Sequence, residues 1–222
     1  MSKLAALDEL LELYYQFEYH KNPVLFQRLQ DVQAWQKQRM QRTHATQFAE
    51  KHNVLMAEYF LNRLYGGPDF DALAGQIARL LKYAHKAEKI IPENAIKTGT
   101  SGVNLAILAV QLDEQVAIQL LQDYPENMPL NDEMMRLTYL KLDQGEARLK
   151  QLNMLDELGK NLDKYMRSFV VYTAFKMCKG AAQKYSFQIM YEFMQDGFLP
   201  MTPLKSAEKC VKQVTASERG RI

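Results

Sequence analysis

The stretch Glu146–Lys179, EARLKQLNMLDELGKNLDKYMRSFVVYTAFKMCK, decides the fold class. Leu152, Leu155, Leu162, Met166, Phe169 and Thr173 recur at spacings of three, four or seven, so they share one side of an α-helix. Lys150, Lys160, Lys164 and Arg167 fall on the other sides. The spacing predicts one long helix with that stripe facing inward and Gly180 ending or bending it. Downstream, Phe187, Met190, Met194 and Gly197 outline another helix, and Pro203 begins the last.

Upstream, the same periodicity divides the chain by its punctuation. Leu4, Leu7, Leu11 and Tyr14 mark a first helix from about Lys3 to Tyr19. Asn22-Pro23 supplies a cap and a first-turn proline for the second. Asn53 caps a third helix ending at Tyr65, where Gly66 is the expected terminator. Asp69 or Asp71 opens a fourth, with Leu73, Ile77, Leu80, Leu81 and Ala84 inward. Thr100 or Ser101 caps a fifth through Leu121, and Asn131 opens a sixth before the first-turn carboxylates Asp132 and Glu133. No stretch alternates with period two for long enough to be a strand. The expected fold is all-α: a single compact bundle of about eight or nine helices, one domain over 1–216, with a frayed tail at 217–222.

Composition agrees. Among 222 residues there are 29 Leu and 12 Met against 26 Val, Ile and Thr, which favours helix. With 47% apolar and 24% charged residues the chain has the balance of a folded domain. A net charge of +2 does not by itself call for a polyanion partner. Asp8 and Glu9 break the opening apolar run too early for a signal peptide. Val103–Val110 and Phe169–Phe175 fall well short of the ~20 residues of a spanning helix. A cytoplasmic protein without a membrane span is expected, with Cys178 and Cys210 as reduced core residues.

Chemical signatures are sparse. None of His20, His44, His52 and His85 follows an acidic residue by three positions, so no Glu-x-x-His di-metal site forms and no metal is expected. His85 with Glu88 gives one reversed pair. Lys97-Thr98-Gly99-Thr100-Ser101-Gly102 has the flavour of a phosphate loop, yet lacks P-loop spacing and a preceding strand. It reads as a loop with a helix cap. Arg79, Lys82, Lys86 and Lys89 step along one helix side as a basic ridge, and Lys205, Lys209 and Lys212 repeat it; solvated faces are the simpler account, and nucleic acid is an unlikely partner. Tyr14, Tyr15, Phe17, Tyr19, Phe26 and Trp35 sit on both sides of their helices and cannot all face one core; core and helix-helix packing explain most of them, with some left to line a groove or subunit interface.

One segment, Tyr59-Phe60-Leu61-Asn62-Arg63-Leu64-Tyr65-Gly66-Gly67-Pro68-Asp69-Phe70, resembles the stretch that names the bacterial FFLEELY motif proteins. Tyr59 stands for its first Phe, and Asn62-Arg63 for its two glutamates. Trp35-Gln36 with Arg39-Met40, Leu112-Asp113 and Phe193-Met194-Gln195-Asp196-Gly197-Phe198 extend the resemblance over roughly 30–200. The family carries no established activity, so the resemblance implies no reaction and no cofactor. As a site, Arg63, Tyr65 and Asp69 gather polar groups at a helix corner, with Trp35, Arg39 and His44 as further ligand- or partner-binding candidates. The expected function is a non-enzymatic helical module binding a protein partner, a second copy of itself or a small apolar ligand. Alternatives are a haem- or ligand-dependent bundle enzyme using His44 or His52, and a regulator contacting nucleic acid through the basic ridges.

Overall fold

A computed structural model describes residues 2–65, 70–87 and 93–222. Among them every regular element is helical and no strand forms. Asn22 caps α2 (Pro23–Thr43) by accepting from the Leu25 amide at 3.2 Å, with Pro23 in the first turn as the sequence implies. Before it, α1 (Ala5–Tyr15) stops four residues short of the expected Tyr19, and a 3-10 turn at Glu18–His20 follows. After it come a single turn, α3 (Ala45–Phe48), and α4 (Val54–Tyr59). Here Asn53 donates to the Gln47 carbonyl instead of capping, and a π turn at Phe60–Leu64 replaces the end of the expected helix. Gly66 and Asp69 lie outside the described residues.

Leu73 and Leu81 of α5 (Phe70–Ala87) are buried, but Leu80, expected inward, is exposed. Helix α6 (Glu93–Asp123) begins well before Thr100. The glycine-rich segment Lys97–Gly102 is therefore helix and not a loop, with Lys97 paired to Glu93 one turn back at 2.7 Å. Asn131 caps α7 (Asp132–Leu142) through the Met134 amide at 2.9 Å.

The decisive stretch is not one helix. It forms α8 (Gly145–Met166), α9 (Phe169–Met177) and α10 (Lys179–Lys184). The break has a local cause: Ser168 adopts extended backbone and its hydroxyl accepts from the Val171 amide, starting a new helix. Arg167 is meanwhile anchored to Asp163 at 2.8 Å and to the carbonyls of Met201 and Leu204. Phe169 and Thr173, expected inward, are exposed because α9 leaves the axis of α8. Then follow α11 (Gln188–Phe198), a 3-10 turn at Leu199–Met201 and α12 (Ala207–Arg219). Among the described residues there are thus eleven helices longer than one turn plus the single turn α3, not eight or nine.

Three buried clusters hold these elements. The largest joins α1, α2, α6 and α7 around Tyr14, Val32, Val116, Ala117 and Met135. A second joins α4 and α12 around Met56, Tyr59, Ala207 and Cys210, and a third joins α1, α5 and α6 around Leu4, Leu11, Leu81 and Ile96. Cys210 is the core thiol expected of it; Cys178 is exposed, a correction that follows from the outward turn of α9. Helix α12 lies along α8 and continues past 216, where a frayed tail was expected, because Glu218 and Arg219 both reach partners on other helices. Gly159 permits that approach: a Cβ there would stand 3.0 Å from Val211 Cβ.

Candidate functional site

Two features stand out once the helices are placed, one buried and polar, the other exposed and apolar. The polar one begins at Arg39 on α2. Its guanidinium grips Glu218 of α12 with both terminal nitrogens, at 3.1 and 2.7 Å, and its Nε donates to Gln36 at 3.0 Å. His44 Nε2 completes the carboxylate at 2.8 Å, with the ring only 3% exposed. Burial alone would raise the Glu218 carboxyl; the bonds from His44 and Arg39 outweigh it and hold it down to about 2. Gln36 passes the network to the Tyr139 hydroxyl on α7, and the Arg148 guanidinium sits 5.6 Å over that ring.

Arg148 then pairs with fully buried Asp113 of α6 at 3.2 Å, and Asp113 accepts from the Tyr65 hydroxyl at 2.5 Å. Burial pushes the Asp113 carboxyl up, against the pull of Arg148 and Tyr65, and raises the Tyr65 phenol well above its ordinary value. Trp35, on the same helix as Arg39, donates to Asp132 at 2.9 Å and lies near Tyr139. The structure therefore brings Arg39, His44 and Tyr65 into one network, with Trp35 at its edge. Asp113, Tyr139, Arg148 and Glu218 are members that sequence reasoning missed. Asp113 alone had a signal, in the Leu112-Asp113 pair.

This network is a strut. Its bonds between elements tie α2 to α12, α2 to α7, α6 to α8, and the π-turn end to α6. A haem iron at His44 would have to displace Glu218. His52 is half-exposed and pairs with Glu50 at 3.1 Å. Arg63 lies apart from Tyr65, paired with Asp196 of α11 at 3.0 Å. The first basic ridge loses its first member: Arg79 turns onto the Ser186 carbonyl and the Phe187 ring, 4.9 Å away. Lys82 is exposed, and the side chains of Lys86 and Lys89 lie outside the described residues. In the second ridge Lys212 is tied to Glu208 at 2.8 Å. Among the described residues no group of three or more His, Cys, Asp or Glu is placed to hold a metal ion, and no helix is long and apolar enough to cross a membrane.

The apolar feature is α9. Seven of its nine residues are apolar or aromatic, and none is buried. Phe169 is 81% exposed, Val170 75% and Met177 80%. Only Phe175 turns inward enough to be half-buried, stacking on Tyr191 at 4.4 Å and meeting Phe198 at 4.9 Å. At 100° per residue, Val170, Thr173, Ala174 and Met177 share the outward face, with Phe169 at its flank. Leu199 and Tyr185, on the neighbouring segments, are exposed as well.

Comparison with known proteins adds a family. A profile described as "Domain of unknown function (DUF8198)" matches residues 16–222. The chain belongs to this family. The DUF8198 match takes in every member of the polar network and all of α9. No curated protein and no solved structure matches the chain.

Proposed function

We propose that this DUF8198 chain is a non-enzymatic helical module that binds a protein partner through the outward face of α9. One observation carries the reading: an apolar helix that buries none of its nine residues. Burying a Phe, Val or Met side chain is worth about 1.5–3 kcal/mol, so a fold that leaves three of them outside forgoes a sizeable gain. Large apolar side chains exposed together mark interaction sites, whereas isolated ones do not.

A small apolar ligand is the weaker reading. The cavity between α4, the π turn, α8 and α12 is lined by Phe48, Met56, Phe60, Leu155, Leu162 and Val214 among others, all apolar. Its free space is about 40 Å³, far below the roughly 150 Å³ of an apolar cavity that takes benzene. A photo-crosslinking amino acid at Thr173, with Lys150 on α8 as the exposed control, tests the docking reading in cells that make the protein. The expected result is a protein adduct at 173 that is absent at 150. The same adducts at both positions, or none at either, would overturn it.

A further inference from the structure

We infer that the partner docking on α9 presents an amphipathic helix with an acidic flank. This inference rests on the docking reading and adds the chemistry of the partner. From Lys164 to Tyr191 the chain holds Lys164, Arg167, Lys176, Lys179 and Lys184 and no Asp or Glu. Arg167 spends its charge on Asp163. The four lysines are exposed, and none forms an ion pair with a carboxylate among the described residues. Lys164, Lys176 and Lys184 instead lie over the rings of Tyr165, Tyr172 and Tyr185, at 5.3, 4.4 and 5.5 Å. The nearest carboxylates on the packed neighbour α11 are already engaged, Glu192 by Gln188 and Asp196 by Arg63.

The outward face has the spacing of a helix seam: Val170, Thr173, Ala174 and Met177 follow i, i+3, i+4 and i+7. Its two central residues are small and its outer ones large. That profile leaves a shallow saddle in which another helix can lie close, with apolar anchors at each end. The seam holds none of the Trp, Phe or Leu that populate the apolar face of a lipid-inserting helix. A second copy of this chain is disfavoured for a separate reason. Parallel pairing of two α9 helices sets Lys176 of one copy beside Lys176 of the other, and like charges brought together at an interface are repulsive. An acidic helix meets both the seam and its rim.

Fluorescence anisotropy on the full chain tests this with two labelled amphipathic helical peptides that share one leucine stripe, one bearing Glu and the other Lys on its polar face. The Glu peptide is expected to bind more than about tenfold tighter, and its affinity to fall as salt rises. Lys176→Glu together with Lys179→Glu should reverse the preference, and Val170→Asp should remove binding of both. All three positions are exposed, so an unchanged circular dichroism melt confirms folding of the variants. Equal binding of the two peptides overturns the inference, as does tighter association with anionic phosphatidylglycerol vesicles, or a dimer in sedimentation equilibrium that Val170→Asp abolishes. A protein adduct at Thr173 without charge preference would sink the acidic partner alone. Loss of both signals would sink the docking reading as well.

Discussion

Glu218 shows how much a single carboxylate can organise. It receives three charge-assisted hydrogen bonds, two from Arg39 and one from His44, while half-buried between α2 and α12. Replacing it with Gln keeps the shape but removes the charge that Arg39 faces. Glu218→Gln is expected to cost about 2–3 kcal/mol, read as a lower urea midpoint with unchanged slope. Gly159 makes a steric counterpart. The Cβ of Gly159→Ala would press on Val211 Cβ at 3.0 Å, so a loss of about 1–3 kcal/mol is expected. Adding Val211→Ala should recover part of it, because the two positions share one contact; a double-mutant cycle measures the recovery. Strict additivity would place the cost of Gly159→Ala elsewhere.

At the scale of elements, α12 is clamped at both ends by carboxylates. Asp163 of α8 accepts from the Ser206 hydroxyl and from the amides of Ala207 and Glu208, at 2.6, 2.9 and 2.9 Å. Burial would raise its carboxyl; the bonds from Ser206, Arg167 and those amides prevail and hold it near 2. Glu218 at the other end is held down to about 2 as well. A depressed carboxylate contributes stability that is complete above its unfolded value, near 4, and is lost as pH falls toward its folded value. Helix α12 is therefore expected to release from α8 at its start and from α2 at its end as pH falls from about 4.5 toward 2, with its amides losing protection from hydrogen exchange before those of α6. Simultaneous loss in α6 and α12 would contradict the clamp.

The same elements show where sequence reading reaches. Asn22-Pro23 and Asn131 are local signals, and both caps form as read. The division of Glu146–Lys179 into α8, α9 and α10 was not legible, since the apolar spacing runs on through Ser168. The local Ser168 cap that starts α9 is joined by Arg167, held by Asp163 and by carbonyls 34 and 37 residues away. Glu218 was invisible for the same reason: its partners stand 174 and 179 residues earlier. Arg39 and Tyr65 were picked out by the motif resemblance and His44 by residue type, but not that they join one network. Lys97–Gly102 misled because glycine, serine and threonine suggest a loop, whereas neighbours on both sides carry the helix through them.

For the whole molecule, the polar strut and the three apolar clusters account for how most of the helices are held, and α9 is, with the short α10, a part they leave over. Its outward residues contribute to no buried cluster. The measurement that tests this most directly is thermal unfolding of the variant carrying Phe169→Ser, Val170→Ser and Met177→Ser. For a chain of this size 1 kcal/mol moves Tm by about 2–4 °C, and truncating three packed side chains costs about 2–5 kcal/mol each. If the face serves a partner, Tm stays within about 2 °C of the parent. A fall of more than about 10 °C would show that these side chains belong to the core, and would contradict the account.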